Sequence, residues 1–295
     1  MLKKTFVTII TFPLYLFNKT IDFLSLFNAH FKKTSYDYQL NYLDHLIEKV
    51  SHSISRDKDI DMKFFTPNSL CLYRAESFSS KEPETLEWIK EFGNGAKLFF
   101  DIGANVGLYS IYHSKLNDGK CFAFEPSCFN LKILTKNINI NNCQDLISII
   151  SNPLSNKTGL SEFRYGSEVE GGALSAFGVN YGFDGMDINA KTKSNVLGFT
   201  LDWMLDNSII KIPTLVKMDV DGIEHLILQG AKNTLSHPDC KSILVEVNDD
   251  FKEQAEKVKS LLSSYNFTLR NKLHGQSTEE SQLFSRTYNQ IWIKT

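Results

Sequence analysis

From Leu98 onward the chain alternates two kinds of hydrophobic pattern. Short, nearly continuous apolar runs at Leu98–Ile102, Cys121–Glu125, Leu146–Ile150, Leu215–Val220 and Ile243–Val247 predict strands buried on both faces. Between them, apolar residues recur at helical spacing over Val106–Leu116, Cys128–Asn141, Ile223–Leu235 and Asp250–Tyr265. Strand and helix in alternation build an α/β, doubly wound and mostly parallel sheet. NFTLRNK and NQIWIKT at the end predict two closing strands.

Two regions depart from that rhythm. Residues 1–95 read as a mainly helical N-terminal extension to a domain spanning 96–295. In it, Tyr36, Leu40, Leu43, Ile47 and Val50 predict a half-buried helix. Pro67-Asn68 between two apolar strips predicts a short hairpin, and Ser79 or Ser80 is expected to cap a helix over Pro83–Phe92. The second departure is 151–199, rich in Gly, Asn and Ser, with Gly171-Gly172 and YGFDG at 181–185. A plain loop of that length is uncommon inside a domain, so hairpins and a flap over the carboxyl edge of the sheet are expected.

The first residues add a question of location. Residues 1–28 carry lysines and an apolar stretch broken by Thr8, Thr11, Pro13, Asn18 and Lys19. That stretch falls short of the roughly 20 apolar residues of a spanning helix, and no small-x-small cleavage site follows it. Peripheral membrane contact and a helix packed on the sheet both remain open, the packed helix being preferred. Five scattered cysteines without CxxC spacing suit reduced thiols and a cytoplasmic protein. A net charge of -2 over 295 residues, with no basic aromatic patch, argues against nucleic acid as a partner.

Candidate chemistry gathers where the predicted strands end. LFFDIGANVGLYS turns after Ile102, and in an open parallel sheet ligands bind beyond such carboxyl ends. Gly103 admits backbone angles closed to other residues, and Gly107 lets the next helix approach. A dinucleotide turn would carry a glycine where Asn105 stands, and Asp101 would repel a pyrophosphate but attract an ammonium group. Glu125 closes the second strand, where a carboxylate can accept both hydrogen bonds of a ribose diol. A nucleoside bearing an ammonium group satisfies both acids, which points to S-adenosylmethionine. Asn152, just past the third strand, joins the candidate cofactor set.

DIGANVGLYS, FAFEPS, FTLDWML, VKMDVDGIEHLILQGA and ILVEVN, in this order, resemble the FkbM family of S-adenosylmethionine-dependent methyltransferases. The resemblance implies a class I, Rossmann-like methyltransferase fold and O-methylation of sugar or polyketide hydroxyls. It also implies that Asp101, Gly103, Asn105 and Gly107 line the methionine and ribose, with Glu125 on the ribose. The family more often has Glu where this chain has Asp221, which changes the reach of that acid.

A hydroxyl acceptor needs its proton removed or its oxygen activated by a metal. Asp219, Asp221, Glu224 and His225 are the candidate catalytic residues, with His225 the natural candidate for a base and a helix-surface histidine paired with Glu224 the alternative. Lys217 sits mid-strand, either approaching the site or pairing with an acid. Asp219, Glu246 and Asn248 offer hard oxygens of the kind Mg²⁺ accepts, against the alternative that they cap helices and orient the acceptor. The Asp219–Gly222 sequence lacks the Pro-Pro-aromatic turn of many N-methyltransferases, which favours a hydroxyl on a glycan or small metabolite. A catalytically silent fold and a nicotinamide-dependent oxidoreductase are the competing classes.

Overall fold

The computed structural model describes residues 2–26, 33–42, 51–57, 60–274 and 284–295. They divide into two units, Met1–Val50 and Ser51–Thr295.

The first unit contains α1 (Leu2–Ser25), with Pro13 inside it, and helical residues 33–42, α2. Tyr36 Oη donates to Asp22 Oδ1 at 3.0 Å. The predicted helix over 36–50 is described as far as 42, and Leu43, Ile47 and Val50 lie outside the described residues. Ile21 is buried, while Phe12, Tyr15, Leu16 and Phe23 of α1 are exposed. Among the described residues, no helix is long and apolar enough to cross a membrane.

The second unit opens with an antiparallel pair, β1 (Ser51–Asp57) and β2 (Ile60–Phe65). Then come α3 (Ser69–Lys81), α4 (Pro83–Gly93), β3 (Leu98–Ile102), α5 (Leu108–Asn117), β4 (Lys120–Phe124), α6 (Cys128–Ile140) and β5 (Ile147–Ile150). The insertion forms β6 (Gly159–Tyr165), β7 (Ala176–Phe177) and β8 (Thr192–Gly198), and is followed by α7 (Leu201–Asp206). The chain resumes with β9 (Leu215–Met218), α8 (Glu224–Gln229), α9 (Lys232–Ser236), β10 (Ser242–Asn248), α10 (Lys252–Ser264), β11 (Phe267–Leu273) and β12 (Thr287–Lys294).

Among the described residues the central sheet runs β11-β12-β10-β9-β3-β4-β5, with β12 antiparallel to both neighbours and the pairs from β10 to β5 parallel. From β3 the chain first winds outward through β4 and β5, then crosses to β9 and β10 on the other side. The reversal falls between β3 and β9, where the diverging crossovers leave a crevice at the carboxyl edge.

Two-residue periodicity sends alternate side chains into two cores. Phe100, Ile102, Val216, Met218 and Val245 pack with Phe163 and Phe177 of the insertion and with Ile227 and Val258. Phe99, Leu215 and Leu244 pack on the other face with Trp88, Ile111 and Leu134. Adjacent Phe99 and Phe100 are each 0% exposed on opposite faces. Burying each such ring favours folding by roughly 1.5–3 kcal/mol.

The insertion takes the predicted hairpin form, an antiparallel sheet ordered β7-β6-β8. Elsewhere the structure corrects local readings. The hairpin expected at Pro67-Asn68 lies earlier, in β1–β2, and Asn68 instead caps α3, its Oδ1 accepting from Cys71 N at 2.8 Å. Ser79 and Ser80 fall inside α3 rather than capping α4. α4 starts at Pro83, which has no N–H to satisfy, after Glu82 at φ -138°, ψ 67°. The helix expected over 223–235 breaks at Gly230-Ala231 into α8 and α9. The expected 95/96 boundary runs through a continuous core, since Trp88 packs on Phe99 with centroids 6.1 Å apart and Trp88 Nε1 donates to Ser242 Oγ at 2.9 Å.

Candidate active site

β3 ends in a turn fixed by backbone bonds. Gly103 N and Ala104 N both donate to Phe124 O at 3.0 Å. Gly103 has φ 89°, and a Cβ there would overlap the carbonyl oxygen of Asp219, so the turn lies flush against the end of β9. Asn105 follows at φ 51°, a left-handed conformation that Asn tolerates better than most residues. Its backbone N donates to Glu125 Oε2 at 2.8 Å, and its Nδ2 donates to Gly172 O at 2.7 Å. Glu125 Oε1 accepts from Ser127 N at 2.8 Å. Burial pushes the Glu125 carboxyl up to about 7, with the Ser127 and Asn105 bonds opposing the rise.

A cavity of about 560 Å³ opens over this edge. Gly103, Asn105, Glu125 and Asn152 line it beside β3, β4 and β5, while Asp219, Asp221 and Glu246 line it beside β9 and β10. Strands about 4.8 Å apart put Glu125 and Glu246 roughly 14 Å apart along the edge. That is room for a donor on one side and an acceptor on the other.

The β9–β10 side holds a compact charge cluster. Lys217 is 1% exposed, and its Nζ donates to Asp219 Oδ2 at 2.8 Å while lying 4.9 Å from the Tyr109 ring centroid. Tyr109 Oη donates to Glu82 Oε2 at 2.9 Å, and Lys81 Nζ donates to Glu82 Oε1 at 2.6 Å. Burial raises the Asp219 carboxyl, yet the Lys217 and Lys81 ammoniums outweigh it and hold Asp219 at about 2. Lys217 shows the mirror effect: desolvation lowers its pKa, but Asp219, Glu82 and Asp101 reverse that and raise it above the ordinary lysine range. Burial together with the charges of Asp219 and Glu82 lifts Glu246 well above the carboxylate range. Asp221 accepts from Leu174 N at 2.6 Å, and burial plus the Asp219 charge moves it up to about 6.

Of the sequence-predicted residues, Gly103, Asn105, Glu125, Asn152, Asp219, Asp221 and Glu246 line the cavity, and Asp101, Gly107, Glu224, His225 and Asn248 do not. Asp101 lies beneath the turn, 0% exposed, its Oδ2 accepting from Ser110 Oγ at 2.5 Å, and it faces Lys217 across the parallel register. It supports the seat from below rather than reaching into the cavity. Gly107, at φ 89°, lets α5 approach Leu134. Glu224 accepts from Val220 N at 2.9 Å, from Gly222 N at 3.1 Å and from Gln254 Nε2, so it holds the Asp219–Gly222 turn in shape. His225 is buried between Tyr181 and Phe251, which is why burial lowers it to about 4. A base needs hydrogen-bond reach of the acceptor, and His225 has no access to the cavity.

Lys81, Glu82 and Tyr109 are among the lining residues that the sequence reading did not assign to the site. The signal for the first two was Lys81-Glu82-Pro83, a charged pair fixed at a helix junction by the following proline.

The donor set does not fit Mg²⁺. Asp219 is engaged by Lys217, burial and the charges of Asp219 and Glu82 disfavour the ionised form of Glu246, and Asn248 Oδ1 accepts from the backbone N of Asp250 at 3.0 Å. Among the described residues no group of three His, Cys, Asp or Glu side chains is placed to hold a metal ion. Two lysines occupy the electrostatic role a divalent cation would take. The cofactor seat does fit a nucleoside with an ammonium group: Asn105 Oδ1 is buried without a partner, and both Glu125 oxygens keep accepting capacity.

Strand order, glycine turn, acid-ended second strand and a cavity across the switch point define the class I S-adenosylmethionine-dependent methyltransferase fold. Within that class the chain belongs to the family described as the Methyltransferase FkbM domain, which matches residues 101–269, more than half of its length. S-adenosylmethionine is the methyl donor that this family implies. No curated protein matches the chain. Similar solved structures include a precorrin-6y C5,15-methyltransferase from Geobacter metallireducens GS-15, at 14% identity over 72% of this chain and 87% of that one, TM-score 0.42. TrmK of M. capricolum in complex with S-adenosyl-homocysteine is similar at 16% identity over 71% and 66%, TM-score 0.42. An O-methyltransferase from Bacillus cereus in complex with the same product is similar at 11% identity over 72% and 79%, TM-score 0.42.

Proposed function

We propose that the protein transfers a methyl group from S-adenosylmethionine to a hydroxyl oxygen of a sugar, a glycan or a small metabolite. The observation that carries this reading is the division of one cavity into a nucleoside-suited half around Glu125 and a carboxylate-rich half around Asp219 and Asp221. When bound, the donor supplies an electrophilic methyl on a sulfonium, a good leaving group. Glu125 and Asn105 hold its polar groups. Asp219, kept ionised by Lys217, accepts a hydrogen bond from the acceptor hydroxyl and fixes its direction. Asp221, at about 6, is the carboxylate whose basicity suits taking that proton near neutral pH. Positioning of this kind lowers a barrier by several kcal/mol. Asn105, standing where a dinucleotide turn has glycine and committed to Gly172, gives the oxidoreductase alternative no support.

The experiment is a labelled-methyl transfer assay on a panel of hydroxyl acceptors, with S-adenosylhomocysteine binding followed by calorimetry. Asp221→Asn is expected to lose turnover and keep product binding. Binding without turnover of any acceptor would instead favour a silent fold.

The same reading extends to α1. Phe12, Tyr15, Leu16 and Phe23 form an exposed stripe, and the helix carries Lys3, Lys4 and Lys19 against Asp22 alone. An apolar stripe on a basic helix suits the surface of an anionic membrane.

A further inference from the structure

We propose that one face of α3 is the acceptor-reading element, and that Tyr73 and Ser77 on it select the ring that enters the cavity. This rests on the hydroxyl-acceptor reading above and adds which residues choose the acceptor. α3 precedes residue 101, outside the segment the family matches.

α3 turns its apolar positions Cys71, Ala75 and Phe78 into the protein. Tyr73, Ser77 and Lys81, four residues apart, share another face, and all three line the cavity. At 1.5 Å per residue this line extends about 12 Å along the helix. It grades in character. Tyr73 is 49% exposed, a ring available at the mouth. Ser77 comes next, its Oγ buried without a hydrogen-bond partner. Lys81 ends the line against Glu82, beside the acids at the end of β9.

A buried hydroxyl left unpaired costs on the order of 1–3 kcal/mol, so Ser77 Oγ is poised for a partner the protein itself does not supply. A sugar meets all three positions. Its apolar ring face stacks on Tyr73, its hydroxyls both donate to and accept from Ser77, and one hydroxyl reaches the acids beyond Lys81. The helix is held to the insertion: Asn68 Nδ2 donates to Glu170 O at 3.1 Å, Cys71 Sγ to the same oxygen at 3.3 Å, and Arg74 Nε to Gly171 O at 2.6 Å.

The test is saturation-transfer NMR on the full chain saturated with S-adenosylhomocysteine, using the methyl glycosides of glucose, galactose, mannose and rhamnose as probes. At least one glycoside is expected to bind, at least tenfold more weakly to Tyr73→Ala and several-fold more weakly to Ser77→Ala. Product affinity, read by calorimetry, stays unchanged in both variants and reports an intact fold. Glycoside binding equal in all three proteins overturns the role of α3 and leaves the sugar reading standing. No binding of any glycoside to the unaltered, product-loaded protein overturns the sugar reading on which this proposal rests, and the proposal with it.

Discussion

Lys217 and Asp219 lie two residues apart on one face of the β9 edge, and Lys217 Nζ meets Asp219 Oδ2 at 2.8 Å with the lysine 1% exposed. Asp101, level with Lys217 on the neighbouring strand, and Glu82, from the α3–α4 junction, face the same ammonium. Lys217 therefore faces carboxylates from three parts of the chain, with Lys81 as a second cation against Glu82.

Removing Lys217 strands the acids. Lys217→Met is expected to cost about 3–5 kcal/mol in urea-unfolding free energy, because it leaves buried carboxylates uncompensated. Lys217→Met/Asp219→Asn should lose less than the two single variants summed. The pH dependence has a definite sign. The folded pKa of Asp219 is depressed to about 2 from an ordinary 3.8, so its contribution is complete above pH 4 and drains away as pH falls towards 2.

Glu125 makes donor binding depend on pH in the opposite range. Its carboxyl sits at about 7 in the free protein, and the ionised form is the better acceptor for a ribose diol. Calorimetry should show S-adenosylhomocysteine binding more tightly at pH 8 than at pH 6, with proton release near neutrality. Glu125→Gln should bind more weakly, with that release abolished.

His225 is expected to be dispensable for chemistry. It lies outside the cavity, its Nδ1 is buried without a partner, and its Nε2 is 3.4 Å from Tyr181 Oη. His225→Leu should leave the pH profile of turnover unchanged and shift the thermal midpoint by a few degrees at most. A lost acidic limb in the variant's profile would restore it as the base.

The α1 stripe predicts sedimentation with vesicles containing anionic phosphatidylserine and little with neutral phosphatidylcholine. Replacing Phe12, Tyr15 and Phe23 by Ser should abolish it. Raised salt should weaken it, since the lysine attraction is screened.

The sheet and the cavity-lining turn after β3 were legible because their signals are local. Buried parallel strands read as apolar runs, and the conformations of Gly103 and Gly107 are ones a side chain resists. The acceptor side was legible only in its acids. Lys81, Glu82 and Ser77 are brought in by tertiary packing of a helix whose sequence mixes exposed Leu72 and Tyr73 with buried Cys71 and Ala75, which blurs its period. Glu224 and His225 misled for a related reason: the turn at Gly222 aims one at backbone N–H groups and packs the other among aromatic rings. Sequence spacing gives proximity to the edge but not the direction of the side chain.

Asn105 Nδ2 and Asn130 Nδ2 both donate to Gly172 O, and Asn130 Oδ1 accepts from Gly171 N at 2.9 Å. The donor turn and the insertion are thereby stitched by two asparagines and a pair of glycines. Segments 151–199 cannot be traded freely between related chains: a chimera keeps its seat only if Asn105, Asn130 and the Gly171-Gly172 pair travel together, so diversification of the insertion is confined to what those four residues leave open.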